Sequence, residues 1–193
     1  VQAGYAARGQ SLAIAALAGN REFVEWNHYP AADLRDRETG TLAYYHAHSA
    51  AERMTDEHGH FHLFVPSSKR SRNPAGYSHL IGISINAHGE ALRLFTTNRW
   101  VTAEDWMGAE QMLKPLASFR ITASGRMAPI ARWLTGIVRM FEDDILVLLN
   151  ERDAALAELT RQMGQKTALE DRSHHIVSER KISVPTRILG IET

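Results

Sequence analysis

The sequence contains no cysteine among its 193 residues. Disulfide bonds, thiolate nucleophiles and sulfur ligands are therefore excluded, so any metal ion must be bound through nitrogen and oxygen atoms. Reducing and oxidising compartments both accommodate such a chain. The missing cysteines thus restrict the chemistry of the protein more than its location.

The chain also lacks an excess of either charge and a long apolar run. With 22 basic and 22 acidic residues its formal net charge is zero, so we expect no nucleic-acid partner. The apolar run SLAIAALAG at residues 11–19 is too short to span a bilayer, and its spacing is that of a helix rather than of a signal peptide. We therefore expect a cytoplasmic protein with no membrane partner.

The order of the predicted elements indicates an α+β fold. The patterns predict a helix over residues 6–25, a loop over 27–40, strands at 41–48 and 60–65, a hairpin within 79–97, and helices over 101–113 and from Pro129 to about residue 159. We expect a single domain, 1–193, with a central antiparallel sheet of hairpins that N-terminal and C-terminal helices cover on one face.

Two segments are predicted to differ from this frame. Residues 66–78 contain two prolines, a glycine and the basic residues Lys69, Arg70 and Arg72, which indicates a mobile basic loop. Residues 161–193 begin as a polar stretch and are predicted to form an extended tail, in which Pro185 would place a strand at a sheet edge.

Five of the ten histidines fall in two short runs, YYHAH ending at His48 and HGHFH from His58 to His62. Side chains at alternate positions of a strand point to one face. His46 and His48 should thus share a face, as should His58, His60 and His62. In an antiparallel pair, opposite Cβ atoms lie about 5 Å apart, so the imidazoles of the two runs can converge.

This convergence predicts a site for a divalent transition metal, with Zn, Fe, Cu and Mn all compatible with imidazole. The predicted ligands are His46, His48, His60 and His62. Glu57 is the nearest carboxylate, and the additional ligands or hydrogen-bonding partners of the ligands are His58, His79 and Asp144. The remaining histidines are interpreted as ordinary polar residues, namely His28, His88, His174 and His175.

An open coordination position would make such a site catalytic, whereas a closed shell of four ligands would make it structural. Aromatic and cationic side chains near the predicted strands favour an enzyme acting on a small polar or anionic molecule, with His60, Glu57 and Arg99 as catalytic candidates. A metal-dependent hydrolase or oxygenase is the expected class. A non-catalytic metal- or ligand-binding module is the alternative, and an exposed sheet face would allow a homodimer.

The segment HGHFHLF resembles the histidine-triad motif of nucleotide hydrolases and transferases, with His58, His60 and His62 in the three histidine positions. This resemblance, which covers only the short motif, implies covalent catalysis without a metal, in which His60 attacks a phosphorus atom. A nucleotide hydrolase or transferase is therefore a further functional alternative.

Across most of the chain, the segments HYP, YYHAH, EHGHFHLF and LFTTNRWVT together resemble an uncharacterised bacterial protein family, a domain of unknown function. The resemblance implies that these segments belong to one fold. It implies no activity.

Overall fold

The computed structural model describes residues 1–20, 22–49, 51–67 and 76–190. At its centre lies a six-stranded antiparallel sheet in which the strands follow one another in space as they do in the chain. The strands are Tyr29–Arg35 (β1), Leu42–His46 (β2), Gly59–Pro66 (β3), Tyr77–Ile85 (β4), Ala91–Thr97 (β5) and Ile176–Lys181 (β6). The helices within the described ranges are Gln2–Ala6 (α1), Leu12–Ala16 (α2), Arg99–Thr102 (α3), Ala109–Ala117 (α4), Ala128–Met140 (α5), Glu142–Met163 (α6), Gln165–Leu169 (α7) and Val184–Ile188 (α8).

The hydrophobic core lies between one face of the sheet and the helices. Phe61 and Leu63 of β3 point to this helix-covered face, and the Phe61 ring lies 5.7 Å from the ring of Trp133 on α5. On β6, the Ser178 hydroxyl donates to the Leu148 carbonyl of α6 at 2.7 Å. The buried side of α2 joins the same core. The predicted α+β fold, with helices from both ends of the chain on one face, is confirmed.

The opposite face, here called the histidine face, carries Tyr44, His46, His60, His62 and Phe95. Tyr44 lies opposite His62, and His46 lies opposite His60, in the pairing of β2 with β3. The hairpin predicted from the two histidine runs therefore forms. A single antiparallel pair thus sets polar and aromatic side chains against one another on the face of the sheet opposite the hydrophobic core.

The hairpin predicted within residues 79–97 also forms, as β4 and β5. Asn86 and Gly89 stand in its turn, where the Asn86 amide donates to the Glu90 carbonyl at 3.0 Å. Gly89 has a positive φ of 81°, a conformation that glycine adopts without steric cost.

The single helix predicted over residues 6–25 is wrong. Two short helices, α1 and α2, occupy this region. Gly9 separates them with a φ of 63°, and the chain leaves α2 through Ala18 and Gly19 with φ of 55° and 90°. Left-handed backbone ends a helix, so the apolar spacing of this segment reflects two packed pieces rather than one continuous helix.

The loop predicted over residues 27–40 is wrong in its central part, which forms β1. Pro30 is compatible with a strand because β1 lies at the edge of the sheet. Its pairing with β2 is irregular between Tyr29 and Leu34, where Asp33 has a φ of 53°. The proline and the irregularity hide this strand from a pattern search.

Both long helices predicted after the sheet are divided. Ala103, with a φ of 51°, ends α3, and the chain reaches α4 only at Ala109. Phe141 separates α5 from α6 with φ −116° and ψ 27°. Pro129 does stand in the first turn of α5, as predicted. The apolar stripe over residues 129–159 therefore belongs to two successive helices.

The segment 161–193, predicted as an extended tail, includes the end of α6, α7 and β6, and β6 pairs with β5 at the sheet edge. Pro185 stands in the first turn of α8 rather than in a strand. Lys69, Arg70 and Arg72 of the predicted basic loop lie outside the described residues. Within the described ranges, no helix combines the length and apolar character needed to cross a bilayer.

Gly82 offers a test of packing on the histidine face. It lies opposite His62 and opposite Phe95, and a Cβ atom at this position would approach Phe95 Cζ to 2.3 Å. Because the ring would have to move, we expect Gly82→Ala to lower the free energy of unfolding by about 1–3 kcal/mol.

The matched control for this prediction is Gly136→Ala on the exposed side of α5, where an added Cβ meets no described atom within 4 Å. This substitution should raise the free energy of unfolding by roughly 0.5–1 kcal/mol, since alanine favours the helix. Urea unfolding of the three proteins measures both effects. Equal stability of Gly82→Ala and the original protein would contradict the packing described.

Candidate metal centre

Three buried imidazoles converge on the histidine face. His46 of β2 faces His60 of β3, with 2.8 Å between their Nε2 atoms. His62, two residues along β3, lies on the same face, and one ring nitrogen from each of the three histidines lies within 4.8 Å of the others. All three residues are buried. This cluster, termed the three-histidine site, could hold a metal ion.

Glu57 fixes the orientation of His60. Its Oε1 atom lies 2.7 Å from His60 Nδ1, and its Oε2 atom accepts from Arg93 at 3.2 Å. Burial alone would raise the pKa of Glu57, but the hydrogen bonds to His60 and Ser84 and the charge of Arg93 hold it at about 2. An ionised Glu57 places the imidazole proton on Nδ1 and so presents the Nε2 lone pair to the site.

His79 orients His62 as Glu57 orients His60. The Nε2 atom of His79 lies 2.9 Å from His62 Nδ1, and its Nδ1 atom lies 3.3 Å from the Thr97 hydroxyl. When His62 Nδ1 donates to His79, the Nε2 lone pair of His62 is available for the site. The structure therefore joins His79, an additional candidate from the sequence, to the three-histidine site through a ligand candidate.

Burial keeps the imidazoles of His46, His62 and His79 neutral. Burial, followed by the neighbouring His60 and His48, lowers the pKa of His46 to about 2. Burial lowers the pKa of His62 well below its usual value, and burial with the charge of Arg152 lowers that of His79 to about 3. Neutral imidazole is the form that binds a metal ion.

His48 lies beside the site rather than within it. Its ring centroid is 5.1 Å from those of His46 and His60. The ring is held between two others, stacked 4.3 Å from Trp26 and 5.3 Å from His175. Burial and His60 lower its pKa to about 4. The four predicted ligands thus divide into three that converge and one that lies beside them.

His58 points away from this group. Its Nδ1 atom lies 2.6 Å from the Tyr45 hydroxyl, and its ring stacks on Phe23 at 4.9 Å. His58 does not share a face with His60 and His62, because β3 begins at Gly59 and His58 lies before the strand. A Cβ atom at Gly59 would lie 2.6 Å from both the Tyr45 hydroxyl and the His46 carbonyl, so only glycine allows this close approach.

Two other candidates from the sequence also lie elsewhere. Arg99 pairs with Glu170, the residue that follows α7. Asp144, on α6, pairs with Arg180 at 3.1 Å and with Arg187. The structure does not bring Arg99 or Asp144 to the three-histidine site, because salt bridges with their own neighbours hold both side chains.

Several neighbours of the site escaped the sequence reasoning. Arg93 and Phe95 stand at alternate positions of β5, so strand alternation in LRLF could have found them. The Phe95 ring lies 5.4 Å from His60 and 5.7 Å from His62. His175 precedes β6 and stacks on His48. No sequence pattern connects His175 to the hairpin, since only the pairing of β6 with β5 brings it there.

A small cavity of about 40 Å³ adjoins the site. It is lined by His48, Glu52, Arg53, Glu57, His60, His62, Arg93, Phe95, His175 and Ile176. Larger cavities of about 700 and 390 Å³ lie around His28 and Tyr29 and around Tyr44 and Glu104. Neither of these includes a residue of the three-histidine site, whereas His60 and His62 line the small cavity.

Glu104 anchors the strand that carries His79. Its Oε2 atom accepts from the His79 amide at 2.5 Å and from the Ser78 hydroxyl at 2.9 Å, while Oε1 lies 3.3 Å from the Thr102 hydroxyl. Burial raises the pKa of Glu104 to about 7 against these hydrogen bonds and against Arg152, which favour the ionised form. A proton on Oε1 is compatible with all three contacts if it is donated to Thr102.

The fold and this geometry together define an α+β protein with a buried three-histidine site that could hold a metal ion. The chain belongs to the family described as Domain of unknown function (DUF6969), whose family model matches residues 1–182. The uncharacterised family indicated by the sequence is thereby confirmed. No curated protein and no solved structure matches the chain.

The raised pKa of Glu104 predicts how stability depends on pH. Since its folded pKa is about 7 against 4.5 when unfolded, its contribution is complete below pH 4.5 and is lost as the pH rises through 7. We expect Glu104→Gln, which mimics the protonated side chain, to remove a decline of up to about 1.4 kcal/mol per pH unit over this window. Urea unfolding at successive pH values measures it, and parallel profiles for the two proteins would refute the assignment.

Proposed function

We propose that this protein binds a divalent transition metal ion through His46, His60 and His62 and acts as a metalloenzyme on a small polar or anionic molecule. The contact of Glu57 with His60 Nδ1 at 2.7 Å carries the proposal. Carboxylate, imidazole and metal in series is the usual arrangement around a protein-bound metal ion. A buried carboxylate that orients one imidazole toward two others favours the binding of a metal ion by all three imidazoles.

The donor set fits such an ion. For zinc–nitrogen bonds near 2.0–2.1 Å, three ligand nitrogens around one ion lie about 3.3 Å apart. The 2.8 Å between His46 Nε2 and His60 Nε2 and the 4.8 Å limit of the cluster bracket this spacing. Zn, Fe, Cu and Mn all accept imidazole nitrogen, so the donor set admits each of them.

Three protein ligands favour an enzyme over a structural site. A metal ion held by three histidines keeps a position for water or substrate and supplies a Lewis acid or, for iron and copper, redox chemistry. Glu57 keeps the Nδ1 proton of His60 in place, and the rings of Tyr44 and Phe95 pack 5.3 Å from His46 and 5.4 Å from His60. A hydrolase or an oxygenase is the proposed reaction class.

The nucleotidyl-transfer alternative has less support. Its motif needs His58, His60 and His62 to act together, whereas the His58 ring contacts Tyr45. Both ring nitrogens of His60, the expected nucleophile, already have partners in Glu57 and His46. We therefore retain metal binding, with a non-catalytic module as the outcome if ligands fill every position of the ion.

Metal analysis tests the proposal directly. We expect untagged protein prepared without chelator to retain about one transition-metal ion per chain, and His46→Ala and His60→Ala each to lose it, because two imidazoles bind far more weakly than three. His88→Ala, in the exposed β4–β5 turn, is the matched control and should keep the metal. Elemental analysis gives the content, and circular dichroism shows that the variants remain folded.

A folded protein that takes up none of the four ions in equilibrium dialysis would overturn metal binding. Full retention of the ion by His46→Ala and His60→Ala would place it outside the three-histidine site. Either result leads back to His60 as a nucleophile, to be sought with a phosphorus-containing nucleotide analogue.

The role of Glu57 has its own prediction. Glu57→Gln preserves the size of the side chain but removes the charge that stabilises the Nδ1 proton of His60, so we expect metal affinity to fall about 10–100-fold. Glu90→Gln, in the exposed turn, is the control and should bind as before. Competition with a chromophoric chelator measures both affinities. Unchanged affinity in Glu57→Gln would remove the observation that carries the proposal.

A further inference from the structure

We infer that Thr97 is a positioning residue for the proposed metal ion, because its hydroxyl determines, through His79, which nitrogen of His62 carries the ring proton. The inference rests on the proposed metal site and adds a residue that contacts none of the three ligands. Thr97, His79 and His62 form one row of side chains, here called the Thr97 row. Thr97 Oγ1 lies 3.3 Å from His79 Nδ1, and His79 Nε2 lies 2.9 Å from His62 Nδ1.

The proton positions along the Thr97 row depend on one another. Burial lowers the pKa of His62 and of His79, so each ring is neutral and has one nitrogen that donates and one that accepts. His62 offers its Nε2 lone pair to a metal ion only when its proton is on Nδ1 and is donated to His79 Nε2. His79 must then carry its own proton on Nδ1 and donate it to the Thr97 hydroxyl oxygen. Metal binding therefore requires this order of protons.

The opposite order of protons competes with metal binding. If the Thr97 hydroxyl donated to His79 Nδ1, His79 would carry its proton on Nε2 and donate it to His62 Nδ1. The proton of His62 would then be on Nε2, where it would block the lone pair that the metal ion needs. A hydroxyl can form either order, because its oxygen accepts and its hydrogen donates.

Removal of the Thr97 hydroxyl would favour the order that blocks the metal ion. In the order that the metal requires, His79 Nδ1–H would become an unpaired buried donor, whereas the opposite order would leave only an unpaired lone pair. Buried N–H groups without a partner are the rarer and more costly of the two. The hydroxyl thus stabilises the form of His62 that binds metal.

Burial makes this dependence strong. Thr97 and His79 each expose 1% of their surface, and His62 exposes 2%. Among the described residues, His79 Nδ1 has Thr97 as its hydrogen-bond partner, and His79 Nε2 has His62. Bulk water does not replace a partner that is lost at this depth. The amide of His79 also donates to Glu104, which holds the backbone of the row in place.

The same strand supports a second ligand. Arg93 and Thr97 stand four residues apart on β5, at positions that share one face. Arg93 donates to Glu57 at 3.2 Å, and Glu57 contacts His60 at 2.7 Å. Each of these two ligands is therefore held by an intermediate residue, and the intermediate residue is held by a side chain of β5.

Thr96 provides a matched control for Thr97. It is fully buried on the other face of β5, where its hydroxyl lies 2.6 Å from the Ser178 hydroxyl. Thr96→Val and Thr97→Val remove the same group from adjacent buried positions, so both should lower stability. Only Thr97→Val changes the Thr97 row, and an effect of stability alone would appear in both variants.

The first measurement is the zinc affinity of the whole chain, determined by competition with a chromophoric chelator. We expect Thr97→Val to raise the dissociation constant for zinc about tenfold, at the lower end of the range for groups that orient metal ligands. Thr96→Val should bind zinc as the original protein does. Thr97→Ser retains the hydroxyl and should recover most of the affinity that Thr97→Val loses.

The second measurement is nitrogen NMR of the histidine rings, which distinguishes a proton on Nδ1 from one on Nε2. We expect His79 to carry its proton on Nδ1 in the zinc-loaded original protein and on Nε2 in metal-free Thr97→Val. A residue that only supports the fold would not move this proton.

The outcomes separate the two proposals. Absence of zinc binding by the original protein, or zinc binding that persists in both His46→Ala and His60→Ala, would overturn the metal site and this inference together. Three results would overturn the role of Thr97 alone: equal zinc affinities of Thr97→Val and Thr96→Val, no recovery in Thr97→Ser, or a proton on His79 Nε2 in the zinc-loaded original protein.

Discussion

The register of β2 against β3 is the constraint on which the rest of the site depends. It sets His46 opposite His60 and Tyr44 opposite His62. A shift of one residue would turn every side chain of a strand to the other face. The imidazoles would then enter the helix-covered core, and Phe61 and Leu63 would leave it. The hydrophobic core therefore fixes the imidazoles, because the same strands carry both sets of side chains.

Burial of so many ring nitrogens is costly unless each has a partner. Contacts between pairs of side chains offset this cost. Glu57 contacts His60, and His79 contacts both His62 and Thr97. His46 Nε2 and His60 Nε2 contact one another at 2.8 Å within the three-histidine site. A metal ion would bind these two nitrogens and one of His62 together, which is the physical basis of the proposed function.

Much of this site could be predicted from the sequence. The alternate spacing of the two histidine runs predicted the hairpin and the convergence of His46, His48, His60 and His62, of which all but His48 come together, since a strand repeats every two residues. The same reasoning failed at His58, because it assumed that the strand continued through Gly59. It also overlooked Arg93 and Phe95, although their alternation in β5 was visible.

The sequence by itself determined the sheet hairpins, the side of each strand that carries histidine, and the restriction to nitrogen and oxygen ligands, because these depend on local periodicity and composition. Only the tertiary structure decided that His48 lies beside the site, that His175 stacks on it, and that Arg99 and Asp144 pair elsewhere. Those positions depend on β6 joining β5 after an insertion of helices, on left-handed turns such as Ala103, and on salt bridges between distant segments. None of these features produces a periodic pattern in the sequence.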